Sequence, residues 1–337
     1  MATMVTKNVT TFILLLAAFA CYYYFRSFSS ATKPSCADHG RARRHPSVNV
    51  VSVTSLTPSS ADGDWRCNSL SHRNGSFTLC LLPKGKDLDF RIPNAAALPE
   101  VNQINTFIRL FETDRRLQFV DIGANIGTYT LPIAHVGVRV LAVEPHPMTH
   151  RVLADSIRRS GFVERVTLVK NAVLNRRAEI VLGQARGNTG DTYVVNDTSC
   201  AGVASGDVCV DVVIKTILLD DLLPVMSSDR ALIKIDTQGS EVLVFDERTS
   251  RQFLTCVDVP LIQMEWGLYS AEQTKYVTSN DRAKAAVKNC IRYMSSMKYN
   301  FYDVHFNKLG EDWRTWPGDI LMMKNDTQLH RNFRGPP

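Results

Sequence analysis

Apolar residues along the chain fall into short runs of two periods, separated by polar or glycine-marked stretches. At 101–111, VNQINTFIRLF sets Ile104, Phe107, Ile108 and Phe111 at helical spacing. From there the pattern alternates. LQFVDIG reads as a strand, Thr128 to His135 as a helix ending at Gly137, and VRVLAVE as a second strand. THRVLADSIRRSG reads as a helix stopped by Gly161, and ERVTLVKNAV as a third strand. AEIVLG and CVDVVIKT read as added strands around a polar loop from Gln184 to Asp207. ALIKID, ending at Asp236, and DVPLIQMEW come next as strands, with a helix after the first. A helix from Asp281 to Met297 and the strands NFYDVHF and DILMMK close the chain. Ahead of all this, SFTLCLL and DLDFRI alternate around PKGK and predict a small hairpin. Alternating strands and helices predict an α/β fold: a Rossmann-like, seven-stranded, mostly parallel sheet with helices on both faces.

The first residues obey another rule. The run 11–25 carries no charge and ends in the tyrosines Tyr22 to Tyr24. It is shorter than the ~20 residues that span ~30 Å of hydrocarbon, and it suits a short signal anchor with an aromatic girdle. The alternative is a signal cleaved after Ala18-Phe19-Ala20. Residues 26–64 are rich in Ser, Thr, Arg, Pro and Asp and read as a flexible stem. The organisation expected is a tail at 1–10, an anchor at 11–25, the stem, a hairpin-and-helix extension at 65–116, a catalytic domain at 117–327 and a tail at 328–337.

Composition adds limits. With 337 residues, 45% hydrophobic and 21% charged, the chain is an ordinary globular protein in bulk. A net charge of +6 without basic blocks interleaved with aromatics gives no reason to expect a nucleic-acid partner. Arg41, Arg43 and Arg44 would favour a cytoplasmic side for the chain beyond the anchor. The sequons at Asn74, Asn196 and Asn325 and the close pairs Cys67/Cys80 and Cys200/Cys209, read as two local disulfides, favour the lumen of the secretory pathway. The expected location is therefore a single-pass type II membrane protein of the Golgi or endoplasmic reticulum, or a secreted protein if the signal is cleaved. The eight histidines show no ligand spacing, so no metal is expected. Oligomeric state is not legible.

The candidate chemistry sits in VDIGANIGTYT, 120–130. Gly123 lets the chain turn sharply and Gly127 allows close approach where a helix begins. This is not G-x-G-x-x-G, and Asp121 stands where a pyrophosphate would come near. An acid there suits a cation. Glu144, at the end of the second strand, can accept both hydroxyls of a ribose. A ligand with a ribose, a cationic amino-acid part and no diphosphate is S-adenosylmethionine. An NAD(P)-dependent oxidoreductase and a non-catalytic lumenal protein that kept the fold are the competing readings.

VDIGANIGTYT, LAVEPHP, VKNAVLN, ILLDDLL and IKIDTQGSE resemble the FkbM family of class I S-adenosylmethionine-dependent methyltransferases over about residues 76 to 325. The resemblance implies a seven-stranded sheet with one antiparallel strand near the end. It implies that Asp121, Gly123, Asn125 and Gly127 line the methionine side of the cofactor, and that Glu144 holds its ribose. Pro145 and His146 would shape the adenine rim, with Asn171 near the adenine and Asp236 over the transferable methyl. Hydroxyl acceptors of varied metabolites and sugars are implied, and a general base helps such a transfer. Asp236 and Glu265 are the catalytic candidates, with His305 more remote. Glu241 is expected to be structural, Trp266 to pack, and the loop 184–207 to gate the acceptor. Two positions depart from the family pattern. Gln238 replaces an acid of D-x-E-G-x-E, and Pro132 falls inside the expected helix, where it kinks it or marks a late start.

Overall fold

The computed structural model describes residues 36, 45–55, 65–73, 75–82, 92, 94–195, 198–269 and 281–324. Residues 40–337 make one compact unit. The apolar run 11–25, the segment 83–91, the three sequon asparagines, His330 and the tail 328–337 lie outside the described residues. Among those described, no helix is long and apolar enough to cross a membrane.

The strands are β1 (Val50–Val51), β2 (Arg66–His72), β3 (Gly75–Leu81), β4 (Gln118–Ile122), β5 (Val140–Val143), β6 (Val166–Val169), β7 (Ala172–Val173), β8 (Glu179–Gln184), β9 (Thr192–Val195), β10 (Val208–Ile217), β11 (Arg230–Ile235), β12 (Asp258–Glu265), β13 (Tyr299–Asp303) and β14 (Asp319–Lys324). The helices are α1 (Val101–Thr113), α2 (Thr130–His135), α3 (Pro147–Arg159), α4 (Glu241–Val244), α5 (Glu247–Cys256) and α6 (Asp281–Ser296).

The main sheet runs β1-β6-β5-β4-β11-β12-β14-β13. From β6 to β12 neighbours are parallel, while β14 lies antiparallel to both β12 and β13. This is an α/β fold with a mixed sheet. Alternation along each strand sorts residues to two faces. Phe119, Val140, Ala142, Leu232 and Leu261 pack with α1, α2 and α3 in one core. Val120, Leu141, Val143, Ile233 and Ile262 pack with α5 and α6 in the other. Helices therefore cover both faces, and all four apolar positions predicted on α1 are buried.

Five elements differ from the pattern read in sequence. The sheet has eight strands, not seven, because β1 adds antiparallel to β6. Two residues are too few to show a period, and Asn171 supplies what the strand lacks. Its Oδ1 accepts from the Asn49 N–H at 2.8 Å and its Nδ2 donates to the Ser47 carbonyl at 2.9 Å. The N-terminal hairpin pairs β3 with the preceding β2, with Cys67 facing Cys80 across it, while the predicted partner DLDFRI lies, but for Ile92, outside the described residues. The polar composition of RCNSLSH hid that strand. The third predicted strand breaks after Val169, and its tail, β7, joins a separate sheet ordered β7-β10-β8-β9. Within the loop 184–207, β9 pairs antiparallel with β8, and the ring of Tyr193 occupies the space a Cβ at Gly183 would fill. Finally, α5 comes almost directly after α4, started by Asp246, whose carboxylate accepts from the Arg248 N–H at 3.0 Å. Pro132 marks a late start: it is the third residue of α2, where its missing N–H has no intrahelical partner in any case. The disulfides Cys67–Cys80 and Cys200–Cys209 are both closed, and Cys290 is the free, buried cysteine among the described residues.

Among the described glycines, the one in the turn after β4 has the least room. Gly123 has φ +82°, and a Cβ there would stand 1.7 Å from the Asp236 carbonyl oxygen at the end of β11. Gly137 has φ +92° with nothing within 4 Å. Gly137→Ala is expected to cost ~1–2 kcal/mol from backbone strain alone. Gly123→Ala is expected to cost a further ~1–3 kcal/mol or more from the collision. Urea midpoints of the two variants check this, and equal losses would refute it.

His150 is buried on α3 with no partner for Nε2, and burial pushes its pKa down to about 4, with help from Lys170 and Arg151. Between pH 6.5 and about 4 the unfolded chain binds a proton here that the folded chain refuses. Stability from this group is therefore lost as pH falls through that window. Relative to His150→Leu, the wild type should lose on the order of 3 kcal/mol between pH 7 and 4 in denaturant titrations. Taking the difference between the two proteins separates this term from the carboxylates.

Candidate functional site

The strand order reverses between β4 and β11, and a pocket opens there at the carboxyl ends of the strands. Its floor is the turn after β4, with Ile122, Gly123 and Asn125. Val143, Glu144 and Pro145 form one wall, and Asn171 to Val173 another. Asp236, Thr237 and Gln238 come in from β11. The small sheet supplies the remaining wall through Leu182, Thr189, Gly190, Thr192 and Val194. The hairpin β8–β9 and the loop expected to gate the acceptor thus line the same pocket as Glu144.

Glu144 is buried. Its carboxylate accepts from the Asn125 N–H at 2.8 Å, the His146 N–H at 2.8 Å and the Thr149 hydroxyl at 2.7 Å. Burial raises its pKa against these bonds. The same carboxylate that faces the pocket therefore ties the β4 turn to the start of α3. Asn125 holds a left-handed backbone, φ +49°, and its Oδ1 is buried without a partner. Thr237 Oγ1 is a second orphan in the lining.

Not every predicted residue lines the pocket. Asp121 is buried behind the turn. Its Oδ2 accepts from Thr130 Oγ1 at 2.6 Å, which anchors the start of α2, and Oδ1 has no hydrogen-bond partner. Burial raises its pKa, and Lys234 pulls the other way. Gly127 packs: a Cβ there would stand 2.5 Å from Leu153 Cδ1. His146 caps α3, its Nδ1 accepting from Met148 N–H at 3.1 Å, and its Nε2 pairs with Gln184 Oε1 at 3.0 Å. Asn171 lines the pocket, but its amide is committed to the β1 segment and to the Lys215 carbonyl. Trp266 is fully buried against Tyr269 and Trp316. Glu241 closes the loop 237–240, accepting from Thr237 N–H, Gly239 N–H and Tyr269 OH. His305 is exposed.

Asp236 and Glu265 do come together. Gln238, at φ +52°, donates one amide to both, at 2.7 Å to Asp236 Oδ1 and 3.1 Å to Glu265 Oε2. Burial opposes the charge of Asp236, but Lys234 Nζ, 3.0 Å from its Oδ2, and further hydrogen bonds hold its pKa below the usual range. Glu265 is driven the other way by burial and by the neighbouring Asp236 and Glu241, so it is protonated at neutral pH. The residue at 238 that replaces an acid thus bridges two carboxyl groups. Sequence reading missed Lys234. Its signal was a lone charge inside the apolar run ALIKI.

A family model, the methyltransferase FkbM domain, matches residues 121–301, more than half of the chain. No curated protein matches. Among solved structures, a putative O-methyltransferase from Klebsiella pneumoniae is 16% identical, with a TM-score of 0.38, covering 68% of this chain and 85% of that one. The O-methyltransferase from Bacillus cereus in complex with SAH is 14% identical, with a TM-score of 0.38 and coverage of 68% and 86%. TYW2 of P. horikoshii in complex with MeSAdo is 15% identical, with a TM-score of 0.35 and coverage of 76% and 69%. From the match that spans β4 to β13, the chain belongs to the FkbM-domain methyltransferases.

Proposed function

We propose that the protein is an S-adenosylmethionine-dependent O-methyltransferase acting on a hydroxyl of a glycan or small metabolite in the lumen of the secretory pathway. The observation that carries the reading is the pocket itself: a buried carboxylate, Glu144, at the end of β5, opposite a glycine turn that admits backbone at the end of β4. The residues fit the cofactor. Glu144 keeps a lone-pair site on Oε2 beyond its three donors for a ribose hydroxyl. The orphaned Asn125 Oδ1 and Thr237 Oγ1 are acceptors suited to an ammonium group. No side chain at Gly123 obstructs the floor.

S-adenosylmethionine, when bound, supplies a methyl carbon activated by its sulfonium sulfur, which keeps the C–S electron pair as the methyl passes to oxygen. The chain holds the acceptor hydroxyl in line and takes its proton. Asp236 is the base, being the ionised carboxylate on the pocket wall. Glu265, carrying a proton, serves as its hydrogen-bonded acid partner. Environments that push two neighbouring carboxyl groups apart in this way divide acid from base.

The lumenal placement rests on the paired cysteines Cys67–Cys80 and Cys200–Cys209, the sequons and the apolar run 11–25 as an anchor, or as a cleaved signal. Endoglycosidase treatment of protein made in a secretory host should increase gel mobility. Unchanged mobility, with no glycan at Asn74, Asn196 or Asn325, would count against the lumen.

Calorimetric titration with S-adenosylhomocysteine should give micromolar binding, with NAD giving none. Glu144→Gln should weaken it by about 1–3 kcal/mol, or roughly tenfold to a hundredfold. The conservative substitution is needed because Glu144→Ala would also orphan two buried N–H groups. No binding by folded protein would sink the methyltransferase reading and leave a non-catalytic role.

A further inference from the structure

Lys234 is a charged residue in the middle of the main sheet. It lies in register with Asp121 on β4 and Gln263 on β12, on the face that packs against α1 and α2. Its side chain is 9% exposed. The groups facing it come from every element around it. Asp236 Oδ2 is 3.0 Å from Nζ, and Asp121 stands on the neighbouring strand. Glu100 approaches from the N-terminus of α1, and Asp319 from β14. The Tyr129 ring, whose hydroxyl donates to Glu100 and accepts from Gln263 Nε2 at 3.0 Å, lies 5.2 Å from Nζ. Burial alone would strip the proton from Lys234, but the carboxylates outweigh it and the ammonium is kept.

A buried ion pair is weak evidence of stability, since its desolvation offsets most of its attraction. The placement of this one is asymmetric. Lys234 is buried, while its partner Asp236 is 29% exposed and lines the pocket. The other Asp236 oxygen is held by Gln238, whose amide also reaches Glu265. Asp121, Asp191, Glu241 and Asp319 all lie near enough to repel a charge on Asp236. Against these four acids, Lys234 is the cation that contacts it.

We propose that Lys234 is a positioning residue for methyl transfer: its ammonium keeps the Asp236 carboxylate charged and turned to the pocket, so that Asp236 takes the acceptor proton while Glu265 retains its own. This rests on the methyltransferase reading of the site. No atom of Lys234 joins the reaction. The hydroxyl proton goes to Asp236, and Lys234 stays protonated throughout.

The test reads Asp236 directly. The full chain is labelled with carbon-13 at the aspartate side-chain carboxyls, and the Asp236 signal is assigned by its loss in Asp236→Asn. In the wild type that signal should stay in the ionised position over the whole pH range in which the fold persists. In Lys234→Met it should titrate at a pH higher by about 1 unit or more, the effect of losing one adjacent cation. Lys234→Arg should restore the wild-type curve. A purely structural lysine would move the urea midpoint and leave the Asp236 curve alone, so an unchanged curve in folded Lys234→Met overturns the proposal. If Lys234→Met does not fold, Lys234→Arg decides. A wild-type curve there supports the role of the charge, and an upward shift with the guanidinium present overturns it. Binding of S-adenosylhomocysteine to the wild type is measured in parallel. Its absence would refute the methyltransferase reading, whereas a normal affinity with an unmoved Asp236 curve would refute only the role of Lys234.

Discussion

The site depends on one close approach of backbone to backbone. At the reversal of strand order, the turn after β4 lies against the end of β11, so that Gly123 has no room for a Cβ beside the Asp236 carbonyl. The Asp236 N–H donates to the Ile122 carbonyl at 3.0 Å, which locks the two strand ends at that spacing. This contact brings the glycine turn and the carboxyl end of β11 to one pocket. A side chain at 123 would push apart the two halves of the sheet where they must meet.

Around that contact the polar groups divide by depth. Glu144 and Glu241 spend most of their acceptor capacity on backbone N–H groups of the turns at 125, 146, 237 and 239, so they hold loops in shape. Asp121 holds the start of α2. Asp236, Gln238 and Thr237 remain toward the pocket. Buried side-chain oxygens as a rule find a donor, and three that do not among the described residues, Asp121 Oδ1, Asn125 Oδ1 and Thr237 Oγ1, lie at this end of the sheet. The orphans on the pocket wall are the ones a bound ligand could satisfy.

The small sheet changes the character of the pocket. A strand that ran unbroken from β6 would have left the crevice open on that side. Instead the chain leaves the main sheet at Lys170 and Asn171, and β8 and β9 rise to form a wall. Asn171 is the pivot: one side chain satisfies the β1 segment and the β10 strand together.

Periodicity and glycine spacing alone determined the alternating core of the fold, because burial on two faces of a sheet demands period two and helix cover demands 3.6. They also marked Gly123, Glu144 and Asp236, since a turn, a strand end and a helix start each leave local signatures. They did not show β1 or β9, whose few residues carry no period, nor the pairing of β3 with β2, hidden in polar residues. Asp121, Gly127 and His146 read as ligand contacts because the motif contains them. Only packing showed that Asp121 bonds Thr130, that Leu153 fills the space beside Gly127, and that His146 pairs with Gln184. The division of charge between Asp236 and Glu265 was likewise out of reach of the sequence. It depends on Lys234 and Gln238 lying within hydrogen-bond distance in space, and distances across strands are set by register, which one chain read in order does not contain.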